Sequence, residues 1–195
     1  DLIRLGDLYH NLKLYDLSLK NYERALLNEK KLSTQKYVRI ASTLINRGSY
    51  SDCFSYLDKI ESTFGNSFSV QVEKDILLLK AEVLKATGKP NESSSILRKV
   101  VEKHPLEGRA LIMLGHNAWE ENDHPLAELY FERASKIDDF EVTALIEHAR
   151  MLVSTRSFEK AVRLIEKAQE IKPQPRVGRY LESIRNLLLT ARIRL

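Results

Sequence analysis

The feature that most constrains this chain is a recurring triplet of small residues. Gly6, Ser18 and Ala25 are spaced by twelve and then seven positions. The same spacing returns at Ala41, Cys53 and Ile60, at Ala81, Ser93 and Val100, at Gly115, Ala127 and Ala134, and at Ala149, Ala161 and Ala168. Successive starts lie 35, 40, 34 and 34 residues apart, and the long interval carries an insertion near residues 63–69. A nearly fixed period of this length means that one supersecondary unit recurs along the chain. No single copy can bury its apolar face, so stacking must build the core.

Each copy reads as two helices. In the fourth, Leu111, Leu114, Gly115 and Ala118 follow the three-to-four spacing of one helical face, and Leu126, Ala127, Tyr130, Phe131 and Ala134 form a second face. Between them Asn122 and Asp123 can end and cap helices, and Pro125 suits a first helical turn. The third copy turns at Gly88 with Pro90 just after it, and the fifth turns at residues 154–157. No strand-like alternation bounded by turn residues appears, so the chain is expected to be all-α. Two antiparallel helices approach closely only where one presents little side chain. Gly6, Ala41, Ala81, Gly115 and Ala149 mark that place on the first helices, and Ser18, Cys53, Ser93, Ala127 and Ala161 mark it on the second. Tyr9, Leu44, Leu84 and Leu152 on the first helices, with Tyr22, Leu57, Leu97, Phe131 and Ile165 on the second, are expected to fill the space around them.

These residues resemble the tetratricopeptide repeat family, whose signature is W-x₂-L-G-x₂-Y…A-x₃-F…P. The first copy offers Leu2, Leu5-Gly6, Tyr9, Ser18, Tyr22 and Ala25. The fourth offers Leu111, Leu114-Gly115, Ala118, Ala127, Phe131 and Ala134, and the fifth Leu145, His148-Ala149, Leu152, Ala161, Ile165, Ala168 and Pro173. The second copy departs most, with Cys53, Ile60 and the insertion. Half-repeat and pentatricopeptide families are related, but the Gly/Ala–Ala/Ser–Ala spacing favours the tetratricopeptide reading. The resemblance implies a right-handed α-α superhelix of five repeats, at residues 1–32, 33–69, 70–106, 107–140 and 141–174. A C-terminal helix over 175–195 is expected to cap the last repeat. Its apolar stripe is Val177, Tyr180, Leu181, Ile184, Leu188 and Ala191, and its charged side is Arg176, Arg179, Arg185, Arg192 and Arg194.

The resemblance further implies a concave groove, lined by the first helices, that binds a peptide or helix of another protein. By register its residues are Ile3, Asp7 and Asn11; Val38, Ser42 and Asn46; Leu78, Glu82 and Ala86; Ile112, His116 and Glu120; Ile146, Arg150 and Ser154. Ile3, Val38, Leu78, Ile112 and Ile146 make an aliphatic rung that serves either as groove or as core between adjacent helices. A polar rung runs from Asp7 through Ser42, Glu82 and His116 to Arg150. Trp119 is either a binding anchor or packing against the fifth repeat. Binding of acidic chaperone tails is not expected. It needs convergent cations and amides, and Asp7 and Glu82 would repel a carboxylate.

Little enzymatic chemistry is legible. No Gly-rich phosphate loop and no nucleophile–base arrangement appears. One cysteine allows neither an internal disulfide nor a cysteine-based structural zinc site. His116 and Glu120 share a helical face with Asp123 and His124 nearby, but the spacing matches no metal motif. His148 is expected to be partly buried with a local partner such as Glu147 or a backbone carbonyl, and Cys53 to pack as a small hydrophobe. No apolar run approaches the length of a membrane span, no signal peptide is visible, and the missing initiator Met suggests a fragment or processed chain. The net charge is +4, but residues 171–195 hold six Lys or Arg against one Glu, so the remainder is nearly neutral. An Arg-rich final helix invites an RNA-associated reading, yet the aromatic stacking platforms of RNA binders are missing. The favoured expectation is a non-enzymatic protein-binding scaffold without metal or cofactor, working in a multiprotein assembly. Alternatives are an RNA-associated module and a docking part of a larger enzyme.

Overall fold

The computed structural model describes residues 1–28, 34–64 and 68–193. All regular structure among them is helical: α1 (Leu2–Asn11), α2 (Tyr15–Leu27), α3 (Thr34–Asn46), α4 (Tyr50–Phe64), α5 (Val70–Ala86), α6 (Pro90–Lys103), α7 (Gly108–Glu120), α8 (His124–Ala134), α9 (Glu141–Ser154), α10 (Phe158–Ile171) and α11 (Pro175–Ile193). A 3₁₀ turn, Asp138–Phe140, precedes α9. The chain forms two compact units, Asp1–Ile96 and Leu97–Leu195, divided within α6.

Five turns join first helices to second ones, and they share one backbone conformation. Lys13, Gly48, Gly88, Asn122 and Arg156 all have left-handed backbone, with φ of 60°, 75°, 79°, 61° and 59°. Each lies seven residues after the small residue of its first helix. Its N–H donates to the carbonyl three back: Lys13 to His10, Gly48 to Ile45, Gly88 to Lys85, Asn122 to Trp119 and Arg156 to Val153, at 2.9–3.0 Å. The next N–H reaches five back: Leu14 to Tyr9, Ser49 to Leu44, Lys89 to Leu84, Asp123 to Ala118 and Ser157 to Leu152, at 2.8–3.0 Å. This is the Schellman motif, which satisfies carbonyls that a helix end leaves orphaned. The residue after the left-handed one then starts the second helix, because its carbonyl accepts from Ser18, Cys53, Ser93, Ala127 or Ala161. In the fourth turn the Asp123 carboxylate also caps Leu126 N–H at 3.1 Å. The twelve-residue spacing in the sequence is therefore seven residues to the turn and five into the next helix.

In the N-terminal unit, one core cluster joins Ile3, Tyr22, Tyr37, Ala41, Leu44, Cys53, Tyr56, Leu57, Ile60, Ile76 and Leu79, among others. The small residues hold their helices together by hydrogen bonds as well as by contact. Ser18 Oγ donates to the Gly6 carbonyl at 2.8 Å, and Cys53 Sγ to the Ala41 carbonyl at 3.4 Å. Lys80 was not legible as a core residue. It is only 8% exposed, donates to Asp58 at 2.6 Å and Glu61 at 2.8 Å, and lies over the Phe54 ring. Burial pulls its pKa down, but the two carboxylates outweigh burial and raise it.

In the C-terminal unit, Ala118, Ala127, Phe131, Ala149, Met151, Leu152, Ala161, Ile165, Leu181 and Ile184 form one cluster. The Phe131 ring lies against Gly115, where a Cβ would fall 2.6 Å from Phe131 Cε1. Leu181 and Ile184 bring α11 into this core. The Gln169 amide fixes the approach of α11, donating to the Gln174 carbonyl at 2.9 Å and accepting from its N–H at 2.6 Å.

The structure corrects the aliphatic rung. Ile3 and Leu78 are 4% and 2% exposed, so they are core and not groove lining. Ile3 packs into the core cluster of the N-terminal unit. A lysine at Leu78 would unfold the packing before it tested any surface.

Candidate functional site

The remaining candidate residues divide between the two units. In the N-terminal unit, Asp7, Asn11 and Asn46 are exposed, and Ser42 and Glu82 are half-buried. Val38 leans on the core cluster. Asp7 accepts a hydrogen bond from the Tyr22 hydroxyl at 2.8 Å, so it also anchors the first helix pair.

The C-terminal unit is different. Ile112, His116 and Trp119 lie on one face of α7, spaced by four and three residues, with Glu120 exposed beside them. Ile146, Glu147 and Arg150 lie on α9. His116 Nε2 is 3.5 Å from Glu147 Oε2, and Arg150 donates to Glu147 Oε1 at 2.7 Å. Trp119 stacks on the His116 ring, with centroids 6.1 Å apart, and His116 meets the Phe131 ring edge-on at 5.4 Å. Ile112, Trp119, Ile146, Val177 and Tyr180 are partly buried against the core and partly open. Burial raises the Tyr180 pKa, and the charges of Arg150 and Glu147 both act on that hydroxyl. α7, α9 and α11 thus contribute to one face: apolar side chains, two aromatics, and an imidazole–carboxylate–guanidinium chain.

Two members of this face were missed from the sequence. The sequence offers Glu147 only as a neighbour of His148, and Tyr180 only in the apolar stripe of α11. The repeat register does carry a signal for Tyr180, because Ile112, Ile146 and Tyr180 are each 34 residues apart. Nothing local marks Glu147.

A sequence model of the tetratricopeptide repeat matches residues 2–31. The fold is similar to that of TTC0263, a thermophilic tetratricopeptide-repeat protein of Thermus thermophilus. Identity is 17% and the TM-score 0.68, over 94% of this chain and 96% of that one. The chain has a tetratricopeptide-repeat fold. Its fold is also similar to that of YrrB, a tetratricopeptide-repeat protein with an unusual peptide-binding site, at 16% identity and TM-score 0.61, covering 93% and 90% of the two chains. A tetratricopeptide-repeat protein from Parabacteroides merdae gives 17% identity and TM-score 0.65, covering 94% and 69%. No curated protein matches the sequence.

Other sequence candidates fall elsewhere. His148 is 5% exposed, and the structure corrects its partner. Its Nε2 faces Glu128 Oε1 of α8 at 3.6 Å, just beyond hydrogen-bond distance, and its ring stacks on Phe131. Glu147 is held by His116 and Arg150 instead. Cys53 is fully buried, and burial pushes its thiol pKa up to about 12, which leaves no thiolate for nucleophilic work near neutral pH. Among the described residues no three His, Cys, Asp or Glu side chains converge as metal ligands. No described helix is long and apolar enough to cross a membrane. On α11, Arg176, Arg179 and Arg185 are exposed. Arg185 is bound to Glu182 at 2.6 Å and Glu166 at 2.8 Å. The side chains of Ala191 and Arg192 and all of Arg194 lie outside the described residues.

Proposed function

We propose that this chain is a non-enzymatic protein-interaction module. On this reading the α7–α9–α11 face of its C-terminal unit holds a peptide segment of another protein. The observation that carries the reading is Trp119. It is the only tryptophan of the chain, half-open beside Ile112 and Ile146 and stacked on a histidine that reaches Glu147. A large aromatic held in place by neighbours, with an apolar surround and a few fixed polar groups, is the usual make-up of a binding hot spot. Tyr180 extends the surface onto α11. The likeness to YrrB adds a fold precedent for a peptide site. The module would serve an assembly by presenting this face while its helix pairs act as a rigid scaffold.

Selection of short random peptides on the purified chain tests the proposal. The expected ligands lose about tenfold or more in affinity to Trp119→Ala, lose affinity to Arg150→Glu, and bind Asn46→Ala unchanged. Circular dichroism confirms that each variant folds. If every selected ligand binds Trp119→Ala as well as the parent, the face is not the site.

A further inference from the structure

We infer that the segment this face takes carries an acidic side chain beside its apolar anchor, with the acid toward α9 and α11 and the anchor over α7. The inference rests on the peptide-binding reading above and adds the chemistry of the ligand.

The sign of the charge follows from how the ion pair sits. Glu147 is withdrawn, its side chain 16% exposed, while that of its partner Arg150 is 52% exposed. Both Glu147 oxygens already face cationic or polar nitrogens, Oε1 from Arg150 and Oε2 from His116. The charge that meets an arriving ligand is therefore the guanidinium. A guanidinium has five N–H donors in a planar fork, so Arg150 retains capacity for a second carboxylate beyond its bond to Glu147.

α11 adds to the same sign. Arg176, Tyr180 and Leu187 lie four and seven residues apart on one side of α11, flanking the stripe that buries Leu181 and Ile184. Tyr180 leans on the core cluster that also holds Ala149, Met151 and Leu152 of α9. Arg176 is exposed one turn before Tyr180, and Leu187 is 48% exposed two turns after it. Arg176 thus adds an exposed positive charge on α11 to that of Arg150 on α9. On α7 the exposed acid Glu120 beside Trp119 has the opposite effect. It disfavours an acid over the tryptophan and so gives the segment a direction. The groups required are carboxylates along a segment.

The test uses the peptides selected on the intact chain. Ligands that depend on Trp119 are sequenced, and the best is remade with its acids replaced by Gln and by Lys. The expected result is enrichment of Asp and Glu. The Gln form should bind about tenfold more weakly, the Lys form more weakly still, and Arg150→Glu should reverse that order. Arg176→Glu should weaken the acidic ligand without touching the core. Trp119-dependent ligands with no acidic enrichment, or a Gln form that binds equally well, would overturn the inference and leave the peptide reading standing. Failure to find any Trp119-dependent ligand would remove both. Displacement of the peptide by a mixed-sequence single-stranded oligonucleotide, with affinity falling steeply in salt, would assign the arginines to a nucleic-acid backbone and also overturn it.

Discussion

Gly6 and Gly115 lie against the rings of Tyr22 and Phe131, where a Cβ would collide. Each ring comes sixteen residues after its glycine. Where the first helix carries alanine, at Ala41, Ala81 and Ala149, the residue sixteen later is Leu57, Leu97 or Ile165. The chain thus offers two solutions of similar volume: glycine with an aromatic, or alanine with an aliphatic. Gly115→Ala alone should cost about 1–3 kcal/mol by overpacking. In Gly115→Ala/Phe131→Leu the two changes should cost clearly less than their separate sum, as measured by urea unfolding. Strict additivity would mean that the two positions do not share one space. His148 makes a second prediction at this scale. Burial holds its pKa below the ordinary 6.5, with Glu128 and Glu132 opposing and Lys160 reinforcing that shift. The unfolded chain therefore binds more protons as pH falls through 6.5. The associated stability is complete above that pH and is lost below it. Acidification from about pH 7.5 to about pH 5 should lower Tm more in the parent than in His148→Leu, and equal slopes would contradict this. The small residues were legible in the sequence because spacing alone reveals them. The partner of His148 was not, because Glu128 comes from the neighbouring helix and no local pattern points to it.

The turn is the element that makes the repeat. Its left-handed residue is Gly48, Gly88 or Asn122 in three copies, residue types that favour this backbone, and the sequence reads the turn at Gly88 and Asn122. In the other two it is Lys13 and Arg156. Nothing in a lysine or arginine announces φ near 60°. The conformation is imposed by the two hydrogen bonds that close the helix and by the need to start the next one at once. Arg156→Gly should therefore raise stability by about 1 kcal/mol, and Gly88→Ala should lower it by about the same. Thermal unfolding of the two variants checks the pair of signs, and a destabilising Arg156→Gly would refute the account of the turn. The final helix was legible from its apolar stripe, of which Leu181 and Ile184 are the buried centre. Ile184→Ala should cost about 2–5 kcal/mol, seen as an earlier urea midpoint. A negligible loss would mean that α11 only rests on the unit.

At the scale of the whole molecule, periodicity told which helices exist, but not which face stays open. The same first-helix position is core at Ile3 and Leu78 and partly open at Ile112 and Ile146. That difference depends on what packs against each helix, which a repeat pattern does not encode. The polar rung was legible only as an order of charges. The proposed face combines residues of α7, α9 and α11 around Glu147 and Tyr180. The excess positive charge of residues 171–195 acquires two roles in this view. Arg185 ties α11 to Glu166 of α10, and Arg176 faces outward near Tyr180. The central claim is that a peptide is held on this one face, and Trp119, as the sole tryptophan, reports on it directly. A labelled peptide from the selection should be titrated while both its label and the Trp119 emission are followed. The account predicts a saturable change in Trp119 emission with the same midpoint as the label, shifted to weaker binding in Arg150→Glu. A peptide that saturates by its own label while Trp119 emission stays constant, with the midpoint unmoved in Arg150→Glu, would contradict it.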